Sequence, residues 1–257
     1  MFYYKICYSN KLINFNYFLS LICKIFLRHY VQKVIPFHVN YVVWDLSAFP
    51  CCLKLNSILE RKISYVKNEI LAKSNTPFTK FYIIHSGALK TFVTTSDNHQ
   101  RVNGFYLPGD IVGLDSIATQ VYNNNIQALS NTLVCELYYD ELMSLVDTQK
   151  NIRDLVFNLL SSDIYNYQKL VLCYSQKKAD ERVATFIYSL YQRYEKKGHS
   201  SLNIKLMMSR ADIANYLGLT IETVSRNLSK LQEQNILLAR GKYLFIKNLN
   251  GLIDLGN

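Results

Sequence analysis

The sequence predicts an α+β chain in three parts: a set of short antiparallel strands, one long helix, and a C-terminal helix pair followed by a β-hairpin. Three observations lead there. Between residues 57 and 146, short β-type runs alternate with turn signals. Across residues 149–175 the apolar residues switch to a helical period. Residues 209–228 place a polar helix cap on either side of a glycine.

Composition sets the frame for these parts. The 257 residues suit one large domain or two ordinary ones. With 49% hydrophobic and 19% charged residues, the chain can bury a core, and global disorder is excluded. Nine glycines and four prolines argue against collagen-like or linker-rich sequence, and no repeat occurs at solenoid or propeller periods. The net charge of +10 is unevenly spread. Residues 1–40 hold five basic and no acidic residues, residues 41–175 hold 11 and 12, and residues 176–257 hold 13 and 7. A neutral middle and a basic end suggest a sensor or scaffold joined to a polyanion binder.

The N-terminal 1–50 reads as a basic, aromatic extension. Its apolar run, residues 15–27 (FNYFLSLICKIFL), is too short to span a bilayer and is interrupted by Lys24. It has the look of a signal core but no small-residue cleavage site follows. The expectation is a cytoplasmic chain without a membrane partner. Residues 1–50 are then either a segment that packs on the rest or the product of a start placed too far upstream.

The strands come next, in a unit spanning 51–148. Residues 81–84, 88–95, 100–106, 126–129 and 132–137 are the strand candidates. The polar stretch 96–100 and Pro108-Gly109-Asp110 are turns. This spacing suggests an antiparallel sandwich or roll. In 149–176, Phe157, Leu160, Ile164, Tyr167, Val171 and Tyr174 recur at spacings of three and four, the seam of a dimerisation helix. A second stripe of Leu155, Leu159, Leu170 and Cys173 is left to face the strands. The last part, 177–257, opens with an amphipathic helix over 179–194 and a short strand over 202–206. It continues with two helices, then a hairpin over 236–246 turning at Arg240-Gly241-Lys242.

The two helices carry the function. Ser209 caps the first, with Asp212 three residues on as in a capping box. Ile213, Ala214 and Leu217 face its core, and Gly218 supplies a left-handed turn. Thr220 caps the second helix. On a wheel of that helix Glu222, Ser225, Arg226 and Ser229 share an arc of about 100°, opposite Val224, Leu228 and Leu231. A helix-turn-helix presents base-reading groups to the major groove of double-stranded DNA in this way. Arg226 suits guanine O6/N7 and Glu222 suits cytosine N4, while Ser225 is a less specific reader. Thr220, Ser229, Lys230, Arg240 and Lys242 are candidates for phosphate contacts, with Lys247 beside them. The competing reading of Glu222 and Arg226 is a surface ion pair at i,i+4. No P-loop, G-x-S-x-G or Rossmann glycine pattern is present, and the chain is not expected to be an enzyme.

These residues resemble the cyclic AMP receptor–FNR family of bacterial transcription regulators, the FNR branch more closely, over roughly 57–255. The likeness rests on residues 83–90 (IIHSGALK), Gly104-Phe105, residues 108–113 (PGDIVG), Val134-Cys135-Glu136, Glu181-Arg182-Val183-Ala184 and residues 216–226 (YLGLTIETVSR). The resemblance implies a cyclic-nucleotide-binding-like β-roll, a dimerisation helix and a winged helix-turn-helix. It implies a homodimer on a palindromic site with TTGAT-like half-sites read by Glu222, Ser225 and Arg226, and RNA polymerase as a partner.

Three departures qualify the resemblance. The FNR branch holds a [4Fe–4S] cluster through three closely spaced N-terminal cysteines and one in the roll. Cys135 matches the roll ligand, but Val34 stands at the third of the N-terminal positions, and Cys7, Cys23, Cys51 and Cys52 have other spacings. A conventional cluster needs four thiolates, so no cofactor is expected, and the alternative is a redox- or ligand-sensing regulator switched through the roll. Cyclic AMP is not expected either, because residues 113–129 contain Asp115 and no arginine to hold a phosphate. Finally, Tyr167 stands where the FNR-type seam carries an acid, which removes a source of repulsion between helices. Asn227 is an oddity, polar where the motif often has an apolar residue.

Overall fold

A computed structural model describes residues 61–196 and 202–256 of the chain. The expectations for residues 1–50 and for Cys51 and Cys52 lie outside the described residues. Eight strands form two four-stranded antiparallel sheets: β1 (Lys62–Tyr65), β2 (Ile70–Ala72), β3 (Lys80–Ser86), β4 (Leu89–Thr94), β5 (Gln100–Tyr106), β6 (Ile111–Val112), β7 (Asn125–Ala128) and β8 (Thr132–Tyr138). Their orders are β1-β8-β3-β6 and β2-β7-β4-β5. This is the β-roll. Gly87 turns the chain from β3 into β4 at φ +89°, and a Cβ there would lie 2.4 Å from Thr132 Oγ1 and 2.6 Å from its Cα. Only glycine fits that turn, and the Thr132 hydroxyl takes the space, accepting from Ala88 N at 3.2 Å.

Strands β1, β2 and β6 were not expected from the sequence. They are four, three and two residues long, too short to show an alternation. The end of the strand region is also corrected. Helix α1 (Tyr139–Thr148) follows β8 directly, with Asp140 and Glu141 in its first turn, and it buries Leu142 and Leu145. Acidic side chains suit a helix N-terminus, and two leucines three apart suit one helix face. Gln149, extended at φ −127° and ψ 108°, breaks it from the long helix α2 (Lys150–Gln176).

The C-terminal part holds α3 (Ala179–Lys196), β9 (Asn203–Lys205), α4 (Arg210–Leu217), α5 (Ile221–Glu233), β10 (Leu237–Arg240), β11 (Tyr243–Ile246) and α6 (Leu249–Gly256). The three strands form a small sheet in the order β10-β11-β9, the wing of a winged helix. Helix α6, which no sequence signal announced, packs along α3.

Two apolar cores result. In the first, roll residues such as Phe81, Ile83, Leu89, Ile126 and Leu137 pack with Leu142 and Leu145 of α1 and Ile152, Val156 and Leu159 of α2. The second joins α3, α4, α5 and the wing through residues such as Val183, Ile187, Ile213, Leu217, Val224, Leu228 and Leu244. It also takes in Phe92, Val102, Phe105 and Leu107 from the β4–β5 hairpin. The hairpin therefore packs with the C-terminal part. Polar contacts hold the same joint: Lys90 Nζ meets Asp212 Oδ1 at 2.7 Å, and Asn215 Oδ1 accepts from Val102 N at 2.8 Å.

Candidate nucleic-acid interface

Helix α4 starts where Ser209 predicted. The Ser209 hydroxyl accepts from Asp212 N at 3.0 Å, and the Asp212 carboxylate accepts from Ser209 N at 3.2 Å. The capping box satisfies donors that a helix N-terminus leaves without partners. Burial raises the Asp212 carboxyl, but hydrogen bonds from Lys90 and Ser209 outweigh it, and the carboxyl sits below its usual range. The other end of α4 closes on Gly218 at φ 65°, the left-handed value expected for the turn. Thr220 then caps α5, its hydroxyl accepting from Thr223 N at 3.2 Å.

The α5 wheel divides as the sequence suggested. Val224, Leu228 and Leu231 are buried, while Glu222, Ser225, Arg226 and Ser229 are exposed. No ion pair joins Glu222 to Arg226 among the described residues. One turn of helix thus offers a carboxylate, a hydroxyl and a guanidinium to solvent. Arg240 and Lys242 are exposed at the tip of the wing, where Gly241 turns the hairpin at φ 58°. Lys230 is exposed on α5. Its Nζ lies 2.9 Å from Asp180 Oδ2 in the first turn of α3, and the hydrogen bond from Lys230 holds that carboxyl below its usual range.

On α2, four of the six seam residues are exposed: Phe157 by 65%, Ile164 by 61%, Tyr167 by 45% and Val171 by 64%. Leu160 is half-buried against the roll core. Tyr174 is half-buried too, and its hydroxyl donates to Tyr216 O in α4. Of the second stripe, Leu159 and Cys173 are buried, and Leu155 packs on the roll core.

Between α2 and the roll, carboxylates come together. Asp115 Oδ2 accepts from Asn124 Nδ2 at 2.7 Å. Asp110 Oδ2 accepts from Leu107 N at 2.7 Å, holds the turn expected of it, and also meets Arg193. Burial, followed by Asp110 and Asp115, pushes the Asp163 carboxyl of α2 up to about 6, against the pull of Arg193. Three carboxylates and one guanidinium thus share this part of the structure.

Cys135 lies on β8, buried, opposite Ile83 and Lys62 of the neighbouring strands. Burial raises its thiol and Lys62 lowers it, the first effect prevailing. Cys135 packs there as a small apolar side chain of the roll core. Among the described residues no three metal-ligating side chains converge, so a cluster at Cys135 would have to draw on cysteines outside them. The sequence reading missed the polar contacts around the helix-turn-helix: Lys90 to Asp212, Asn215 to Val102 and Arg182 to Leu217 join residues far apart along the chain. It did mark Asn227, which is buried with its Nδ2 lacking a partner among the described residues.

Comparisons with known proteins cover both parts. The cyclic nucleotide-binding domain family matches residues 62–149, and the Crp-like helix-turn-helix domain family matches residues 181–255. The anaerobic regulatory protein of Pasteurella multocida is 38% identical over 224 residues, 87% of this chain and 79% of that one. The fumarate and nitrate reduction regulatory protein of Escherichia coli K12 is 37% identical over 224 residues, 87% of this chain and 86% of its own. These matches are longer than the stretch 57–255, so the likeness reaches into residues read as an extension. Among solved structures, FixK2 from Bradyrhizobium japonicum is similar with a TM-score of 0.70 and 29% identity, over 76% of this chain and 96% of that one. TTHB099, a CRP-family transcriptional regulator from Thermus thermophilus, shares the fold at a TM-score of 0.60 and 15% identity.

Proposed function

This chain belongs to the FNR/CRP family of DNA-binding transcription regulators, and on that footing we propose that it acts as a homodimer on a palindromic site with TTGAT-like half-sites. The observation that carries the reading is the apolar stripe Phe157, Ile164, Tyr167 and Val171, exposed along the helix that leads into the helix-turn-helix. Apolar residues at heptad spacing on an exposed helix face are what a two-stranded seam requires. Pairing two copies about that seam brings two α5 helices to one face, each presenting Glu222, Ser225 and Arg226 to a half-site. Arg226 reads guanine, Glu222 reads cytosine, and Arg240 and Lys242 of the wing meet phosphates. Lys230 is bound to Asp180 and contributes less to DNA than its charge suggests. RNA polymerase is the partner of the assembled complex, and the setting is the cytoplasm.

This dimer does not wait for a cofactor. An uncharged Tyr167 in the seam costs less to bury against its twin than a carboxylate would. The test is sedimentation of the full chain at micromolar concentration, followed by titration of a palindromic duplex and a scrambled one. A dimer is expected, with Arg226→Ala weakening the palindrome by about 1–3 kcal/mol, roughly fivefold or more, and leaving scrambled DNA nearly unchanged. A monomer, or equal loss on both duplexes, would refute the reading.

A further inference from the structure

Helices α2 and α3 are separated by two residues, Lys177 and Lys178, and Lys177 is extended at φ −95° and ψ 142°. So short a joint leaves the angle between the long helix and the helix-turn-helix to be set by side chains. Arg182, five residues beyond α2's C-cap Lys177, spans the joint. Its Nε donates to Lys177 O at 2.9 Å, its Nη2 to Tyr174 O at 2.7 Å and its Nη1 to Leu217 O at 3.4 Å. Its guanidinium lies 5.8 Å from the centre of the Tyr174 ring. Tyr174 makes a second link, its hydroxyl donating to Tyr216 O.

The chemistry of these acceptors is specific. Tyr174 O is among the last carbonyls of α2, and Tyr216 O and Leu217 O are the last of α4. The last four carbonyls of a helix have no intrahelical partner and carry the negative end of its dipole. Two helix C-termini therefore converge on one cation. A guanidinium has a planar fork that bonds several carbonyls at fixed angles, whereas an ammonium is a point charge on a flexible stem. The turn glycine is part of the joint: a Cβ on Gly218 would sit 3.9 Å from Arg182 Nη1.

We propose that Arg182, backed by Tyr174, is a positioning residue for DNA reading: it fixes α5 relative to the dimer axis and so sets the half-site spacing that the protein accepts. This rests on the homodimer reading above. Arg182 touches no DNA in this role. Each base pair inserted between half-sites turns the second one by about 34° and moves it by about 3.4 Å. A rigid joint rejects such a site, and a loosened joint tolerates it.

The experiment uses the full chain, wild type and Arg182→Lys, with four duplexes: the preferred palindrome, the same site with one base pair added or removed at its centre, and a single half-site. Wild type is expected to bind the preferred palindrome at least tenfold tighter than either altered spacing. Arg182→Lys is expected to remain dimeric and to bind the single half-site within about twofold of wild type, with its preference between spacings cut to threefold or less. Tyr174→Phe keeps the ring and removes one link, and is expected to give a smaller loss of preference in the same direction. If both variants fold and keep the wild-type spacing preference, the proposal is overturned. Loss of single half-site binding in proportion would also overturn it, since that marks damage to the reading helix itself. Equal binding of palindrome and half-site by wild type would instead sink the homodimer reading, and the spacing role with it.

Discussion

Replacing Asp163 by asparagine should stabilise the protein, and by more at pH 8 than at pH 5. Asp163 lies on α2 against the roll, where burial and the neighbouring Asp110 and Asp115 raise its carboxyl to about 6. An ordinary aspartate titrates near 3.9. Above pH 6 the carboxyl is ionised in folded and unfolded chains alike, and the folded chain bears the whole cost of the shift. At 1.36 kcal/mol for each of roughly two pH units, that cost is about 3 kcal/mol. As pH falls through 6, folded Asp163 takes up its proton before the unfolded one does, and the native state gains stability. The gain is complete only when the unfolded carboxyl also titrates, near pH 4; at pH 5 roughly half of the cost remains.

Asparagine is neutral throughout and has no such dependence. The assay is urea unfolding of wild type and Asp163→Asn at pH 5, 6, 7 and 8. Protein concentration is matched, because a dimer's stability depends on it. Titrating groups remote from Asp163 act alike in both proteins and cancel in the difference. The advantage of the variant should shrink by about 1–2 kcal/mol from pH 8 to pH 5. A difference that stays flat over this range would refute the claim that Asp163 is held against its ionised form.

Two further outcomes follow from the structure. Asn227→Leu removes a buried amide whose Nδ2 has no partner among the described residues and adds apolar surface beside Val224, Leu228 and Leu231. Stability should rise by about 1–2 kcal/mol, or a few degrees in Tm, with DNA affinity unchanged; a fall in Tm would show that the amide is satisfied in place. Protein purified without oxygen should contain iron and acid-labile sulfide far below the roughly four of each per chain that a [4Fe–4S] cluster supplies. A full complement would make Cys135 and the N-terminal cysteines a redox sensor despite their spacing.

Much of the fold was legible because it is written in local pattern. The run 100–106 became β5 at those residues, since its flanking turns are explicit in the chain. Both caps and the Gly218 turn around α4 and α5 were legible too, because a cap is a contact between residues three apart. Edge strands of two to four residues carry no period to detect. Helix α1 was hidden because its ten residues continue an apolar stretch already read as strands.

The site divides along the same line. Glu222, Ser225 and Arg226 are neighbours on one helix, so the wheel alone brings them to one face. Lys90 and Asp212 are 122 residues apart, and Arg182 and Leu217 are 35 apart. No periodicity brings such pairs together. Lys90 and Arg182 both fell within segments that carried the family resemblance, yet their partners could be assigned only from the fold. The sequence therefore states which residues share the exposed face of α5. Which residues hold the reader at its angle depends on long-range contacts. Of the two, it is the angle that a change of spacing between half-sites probes, because reading one half-site needs α5 alone, whereas reading two needs α5 fixed to α2.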